Sequence, residues 1–160
     1  MKFQQFQFLM KQTFGLKDGQ GSPLDRYDSV PVEQLHPLVL AYVGDAYFTL
    51  YVRTRLLAFE QTKVRVLHTY DSQMVSAKKQ ALAYRVLEAE LTEQEQSVVR
   101  RGRNAKSTVP KSASVAEYRI STGFEALMGY LYLKENYERL SELAEKAFVA
   151  ISREMSKTSG

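Results

Sequence analysis

Two acidic residues stand alone in long apolar stretches. Between Glu33 and Arg53 the one formally charged side chain is Asp45, in LVLAYVGDAYFTLYV; between Arg119 and Lys134 it is Glu125, in ISTGFEALMGYLYL. An ionised carboxylate buried without a partner costs several kcal/mol, so each must be ion-paired, neutral or bound to a cation. Neither has a basic residue three or four positions away on its own segment. If both segments are helices that cross near Gly44, where a missing side chain allows close approach, the two carboxylates converge. Paired carboxylates with no cationic side chain beside them suit a hard divalent cation, Mg²⁺ or, as a substitute, Mn²⁺. Such an ion activates water and offsets charge on a phosphoryl oxygen. The competing reading gives each acid a private salt bridge to Arg53, Arg119 or another base.

A second stretch carries the opposite charge. From Gln96 to Ala116 the chain reads QSVVRRGRNAKSTVPKSASVA, with Arg100, Arg101, Arg103, Lys106 and Lys111 and not one acid. Arg and Lys mixed with Ser, Thr and Asn make up the donor set that grips phosphates, and Gly102 and Pro110 predict a loop. The stretch holds no aromatic residue, which argues against a single-strand binder that stacks bases. It leads directly into the Glu125 segment, placing phosphate-gripping groups beside the paired acids. The bland alternative is a solvated charged loop.

The elements that must carry these groups read as helices, with almost no strand alternation. Pro37 suits the first turn of a helix running to about Phe59, apolar all round and therefore expected to be largely buried around Asp45. Residues 72–90 predict a second helix capped by Asp71 or Ser72, with Val75, Leu82 and Leu87 turned inward and a further short helix at 61–70. The pattern Thr92…Glu95 predicts a capping box opening a short helix that Gly102 ends. Further helices are expected from Val115 to Glu135 and from Tyr137 to Met155, the last with Leu140, Leu143, Ala144, Ala147 and Ile151 at helical spacing. The expected fold class is an all-α bundle. Its domain spans 31–155, behind a poorly anchored arm and linker at 1–30 rich in Gly, Asp, Ser and Pro, and before a frayed tail at 156–160.

Composition narrows the chemistry. The chain has 160 residues, 44% of them hydrophobic and 25% charged, as in an ordinary globular domain. Without cysteine it has no disulfide and no thiolate metal site, and with His36 and His68 as its two histidines an imidazole-built zinc site is disfavoured. The net charge of +4 favours a nucleic-acid partner where it is clustered. The apolar run from Leu38 to Val52 is too short for a bilayer, which takes about 20 apolar residues. The glutamines and Lys11 near the start break up a signal-peptide core. The expected location is the cytoplasm, although Met1–Lys17 lacks acids, as an organellar leader would.

Taken in order, GDA at 44–46, SAKKQA at 76–81, RGRNAKS at 101–107 and YRISTGFEALMGYLYL at 118–133 resemble Mini-ribonuclease III, the short bacterial branch of the ribonuclease III family. The similarity covers about residues 33–150. It implies a ribonuclease III-like endonuclease helical bundle: a homodimer that cleaves double-stranded RNA with Mg²⁺, leaving 5′-phosphate and 3′-hydroxyl ends. It also implies a role in maturing the precursor of large-subunit ribosomal RNA. On this resemblance Asp45 and Glu125 are the catalytic metal ligands, and Arg101, Arg103, Asn104, Lys106 and Lys111 contact RNA. Longer members carry acids where this chain has Ala41 and Thr122, which leaves the count of metal ions at one or two per site. No double-stranded-RNA-binding domain fits in the chain, so the grip on substrate falls to the surface of the dimer. The alternatives are a catalytically silent RNA-binding protein of the same fold and a helical protein–protein module.

Overall fold

The computed structural model describes residues 3–5, 7–8, 31–106 and 114–158. The chain divides into two units, Met1–Pro31 and Val32–Gly160. In the first, residues 3–5 and 7–8 are helical; the rest of the expected arm and linker lies outside the described residues. The described residues of the second unit form six α-helices: α1 (Pro37–Leu56), α2 (Val64–Met74), α3 (Ala77–Leu87), α4 (Glu93–Asn104), α5 (Val115–Leu133) and α6 (Tyr137–Thr158). Short 3-10 turns lie at Val32–Gln34 and Glu88–Glu90. No strand occurs among the described residues, so the bundle is all-α as expected.

Helix α5 is the axis of the bundle, with α1, α3 and α4 packed around it and α6 closing on α3. Its sequence explains the position: Phe124, Ala126, Leu127 and Met128 are fully buried, and the small residues at 121–123 and 129 let neighbouring helices come close. Phe48 of α1 meets Phe124 edge to face, with ring centroids 5.0 Å apart. The apolar face foreseen on α6 is buried throughout, from Leu140 to Ile151. That helix continues through Thr158, so residues 156–158, expected as a frayed tail, are helical, and 159–160 lie outside the described residues.

Three boundaries differ from expectation for local reasons. The helix expected over 72–90 is two helices, because α2 ends at Met74 and Ser76, in extended conformation, begins α3. Asp71 is therefore no cap. It is buried inside α2 and bound to Arg53 Nε at 2.8 Å. Gly102 does not end α4, which runs on to Asn104. A Cβ at Gly102 would stand 2.9 Å from both the Gly123 Cα and the Ala126 Cβ, so this glycine admits α5 rather than stopping a helix. The capping box at Thr92 is present, with Glu95 N–H donating to Thr92 Oγ1 and Thr92 N–H to the Glu95 carboxylate. A second one, Ser114 with Glu117, starts α5.

Candidate active site

The two lone acids are positioned by a contact between backbones. A Cβ built on Gly44 would overlap the carbonyl oxygen of Glu125 and stand 2.7 Å from the Gly129 nitrogen. A Cβ on Gly129 would overlap the carbonyl oxygen of Leu40 in turn. Any other residue at either position would push α1 and α5 apart. Asp45 follows Gly44 directly, and Glu125 is itself the point of contact, so the helices cross at the two acids.

Their environments differ. Asp45 is exposed, contrary to its expected burial, because the face of α1 that carries Val39, Tyr42, Ala46 and Leu50 is left uncovered in the single chain. Glu125 is partly buried. Burial pushes its carboxyl up to about 7, the negative charge of Asp45 pushes the same way, and the side-chain amide of Gln80 acts as a hydrogen-bond donor that draws it back. The private salt bridges are not formed: Arg53 is bound to Asp71, and no ion pair reaches Asp45 or Glu125 among the described residues. No group of three or more His, Cys, Asp or Glu able to hold a metal is found there either. Ala41 is buried in the core, and Thr122 turns its hydroxyl back onto the Tyr118 carbonyl at 3.0 Å. What remains among the described residues is a pair of carboxylates that no cationic side chain pairs with. That donor set fits Mg²⁺, which commonly takes one or two carboxylates and keeps several waters.

The basic residues divide by position. Arg101 is committed to the fold, donating to the backbone oxygens of Glu33 at 2.9 Å and Leu35 at 2.8 Å, and so fastening the turn before α1 to α4. Arg103 and Asn104 are exposed in the last turn of α4 and Lys106 just beyond it, on a helix end rather than in the loop expected for them. Lys111 lies outside the described residues. The sequence did not single out Gln80, a buried amide on the face of α3 that otherwise buries Ala81, Ala83, Tyr84 and Leu87.

A profile of the Ribonuclease III domain matches residues 38–136, which contain both acids and the α1–α5 crossing. The Mini-ribonuclease 3 of Symbiobacterium thermophilum is 53% identical over 120 residues, covering 74% of this chain and 92% of that one. The chain belongs to the Mini-ribonuclease 3 family. Another member, from Enterococcus faecalis, is 53% identical over 114 residues, or 69% of this chain and 86% of its own. A crystal structure of a Fusobacterium nucleatum protein superposes with a TM-score of 0.68 at 31% identity, covering 77% of this chain and 97% of the other. The all-α ribonuclease III-like fold is thus common to this chain and a solved structure.

Proposed function

We propose that this chain is an endoribonuclease that hydrolyses phosphodiester bonds of double-stranded RNA, with Asp45 and Glu125 as the residues that hold a catalytic Mg²⁺. The observation that carries the reading is the α1–α5 crossing, which brings Asp45 near enough for its charge to raise the Glu125 carboxyl, with no ion pair to either acid among the described residues. When bound there, a divalent cation supplies Lewis acidity toward the phosphoryl oxygen and makes water a better nucleophile. Glu125, rooted in the central helix, fixes where the pair sits. Water adds to phosphorus and the 3′ oxygen leaves with a proton, giving the 5′-phosphate and 3′-hydroxyl ends that the family resemblance implies.

Arg103, Asn104 and Lys106, with Lys111, hold the phosphate backbone of the duplex. Arg101 supports them by fixing α4. The uncovered face of α1, with Tyr42 at 81% and Leu50 at 62% exposure, is the surface on which we place a second copy of the chain. A helix apolar on all sides is normally buried on all sides, and a two-fold dimer presents paired sites to the paired strands of a duplex. The substrate we assign is the precursor of large-subunit ribosomal RNA, in the cytoplasm. No helix among the described residues is long and apolar enough to cross a membrane.

The deciding experiment incubates the protein with a structured duplex RNA, with and without Mg²⁺, and maps the ends. Cleavage that needs the cation and leaves 5′-phosphates supports the reading. Tight duplex binding without cleavage favours the second one, a silent RNA-binding protein, whose motivation is the short list of acids at the site.

A further inference from the structure

Ser97, Arg100, Arg101 and Asn104 fall at helical spacing on one face of α4. That face meets the turn before α1, and between them lies an open cleft of about 480 Å³ whose polar lining is these four residues and His36. No carboxylate lines it among the described residues. The Glu33 carboxylate, in the turn itself, is held by Lys134 at 2.7 Å. Both walls are fixed. Arg101 uses its two terminal nitrogens on the Glu33 and Leu35 backbone oxygens, which ties the turn to α4. His36 caps α1, its Nδ1 accepting the Leu38 N–H at 3.2 Å. A ring nitrogen that accepts carries no proton, so the proton of His36 sits on Nε2, which is left as a donor. The next N–H groups of α1 are already occupied, because Val39 and Leu40 donate to the His36 carbonyl. A ligand in the cleft is therefore met by side chains. Those of Ser97, Arg100 and Asn104 have no hydrogen bond or ion pair among the described residues.

We propose that this cleft seats one phosphate of the duplex, held by the Arg100 guanidinium with hydrogen bonds from His36 Nε2, Ser97 Oγ and the Asn104 amide. The inference rests on the reading of the chain as a nuclease of double-stranded RNA and deepens it. Donors of these types with no carboxylate among them suit a phosphate, and the guanidinium fork matches its oxygens. The cleft is open, and Arg103 and Lys106 are exposed at the same end of α4, so the positive charge continues past it. That continuity fits a phosphodiester in a long polyanion better than a free phosphate. His36 lies nine residues before Asp45, about 13 Å along α1 at 1.5 Å per residue. The seated phosphate is then not the one that is cut. It fixes where along the duplex the Asp45–Glu125 pair falls.

The test measures binding of a structured duplex RNA over a range of salt, in the absence of Mg²⁺. Arg100→Gln should weaken binding about tenfold and reduce the slope of log affinity against log salt by about 1. Arg100→Lys keeps the charge and should restore the slope. His36→Asn keeps an oxygen to cap α1 but withdraws the ring donor. Its duplex binding should weaken about threefold or more at an unchanged melting temperature. The chain has two histidines, so the His36→Asn spectrum identifies the His36 ring in an NMR titration of the wild type. That ring signal should move when the duplex is added. If it moves with inorganic phosphate and not with the duplex, the cleft holds a free anion and the proposal is wrong. If Arg100→Gln and His36→Asn bind like the wild type, or Arg100→Lys leaves the slope as low as Arg100→Gln does, the cleft holds no phosphate and the nuclease reading stands without it. A loss of affinity that comes only with a loss of melting temperature makes these residues structural, and is equally contrary. A wild-type protein that neither binds the duplex nor cleaves it with Mg²⁺ overturns the functional reading itself, and the role of the cleft falls with it.

Discussion

At the scale of single residues, charge rather than shape is what Asp45 and Glu125 contribute. Asp45→Asn and Glu125→Gln keep the volume and remove the charge to which the proposed function assigns the hold on a cation. Stabilisation of several kcal/mol then disappears from the transition state, so duplex cleavage should fall by about 100-fold or more. Circular dichroism and duplex binding should stay as in the wild type; full activity in either variant would remove the pair from the mechanism. The basic residues should separate in the same kind of experiment. Arg101→Ala removes two bonds to backbone oxygens and should lower stability by about 1–3 kcal/mol, read by denaturant unfolding. Replacing Arg103 and Lys106 together by Ala should leave stability nearly unchanged. It should instead make the logarithm of duplex affinity less dependent on salt, by a slope of about 2 units. The two acids stood out in the sequence because an isolated charge in an apolar run is conspicuous, and the basic residues because no acid interrupts them between Gln96 and Ala116. The commitment of Arg101 to the turn at 33–35 was not, since its partners are backbone atoms 66 and 68 positions away.

At the scale of elements, the crossing of α1 and α5 is the feature most exposed to substitution. Gly44→Ala would drive a methyl into the Glu125 carbonyl. We expect a destabilisation at or above the usual 1–3 kcal/mol of overpacking, together with lost cleavage, and Gly129→Ala should reproduce both. An intact melting temperature in either variant would mean the helices are farther apart than described. Where α4 meets α6, the fold depends on charge. Burial alone would raise the Glu95 carboxyl, but hydrogen bonds from Arg139 and from the Thr92 N–H outweigh it and hold it below its ordinary 4.5. A depressed carboxyl stabilises the fold fully above the unfolded value and loses that contribution as pH falls through the folded one. Glu95→Gln should therefore melt below the wild type at neutral pH, and the gap should close as pH drops from roughly 6 to 3. A gap constant over that range would assign the loss to packing instead. The helices themselves were readable from apolar spacing, and the Thr92 cap from its pattern. The break at Val75–Ser76 was not, because no Gly or Pro marks it and the apolar spacing runs through. Nor was the continuation of α4 past Gly102, where a glycine serves close packing and its helix-ending signature misleads.

At the scale of the whole molecule, one pair of acids per chain meets a substrate with two strands. In a two-fold dimer formed on the uncovered face of α1, each subunit would hold its own Asp45 and Glu125 and cut one strand. A mixed dimer of one wild-type subunit and one Asp45→Asn subunit, isolated through different tags, should then nick one strand of a duplex labelled on both. Cleavage of both strands within a single binding event would contradict one site per strand. Cleavage of neither would mean that the sites are shared across the interface. The dimer we propose has no signal in the sequence besides the family resemblance; what the sequence concealed is that Asp45 is exposed, since the pattern of α1 is apolar on every side and does not say which neighbour covers which face.

The contact between Gly44 and Gly129 also bears on how the protein meets heat. Side chains that space two helices exchange rotamers as temperature rises, and the gap between the helices slackens well before the fold is lost. Two backbones that touch directly have no rotamers to exchange. The separation of the Asp45 and Glu125 Cα atoms is then held until α1 and α5 part altogether. Warming would leave the site whole up to the melting transition, and activity and fold would disappear in the same few degrees.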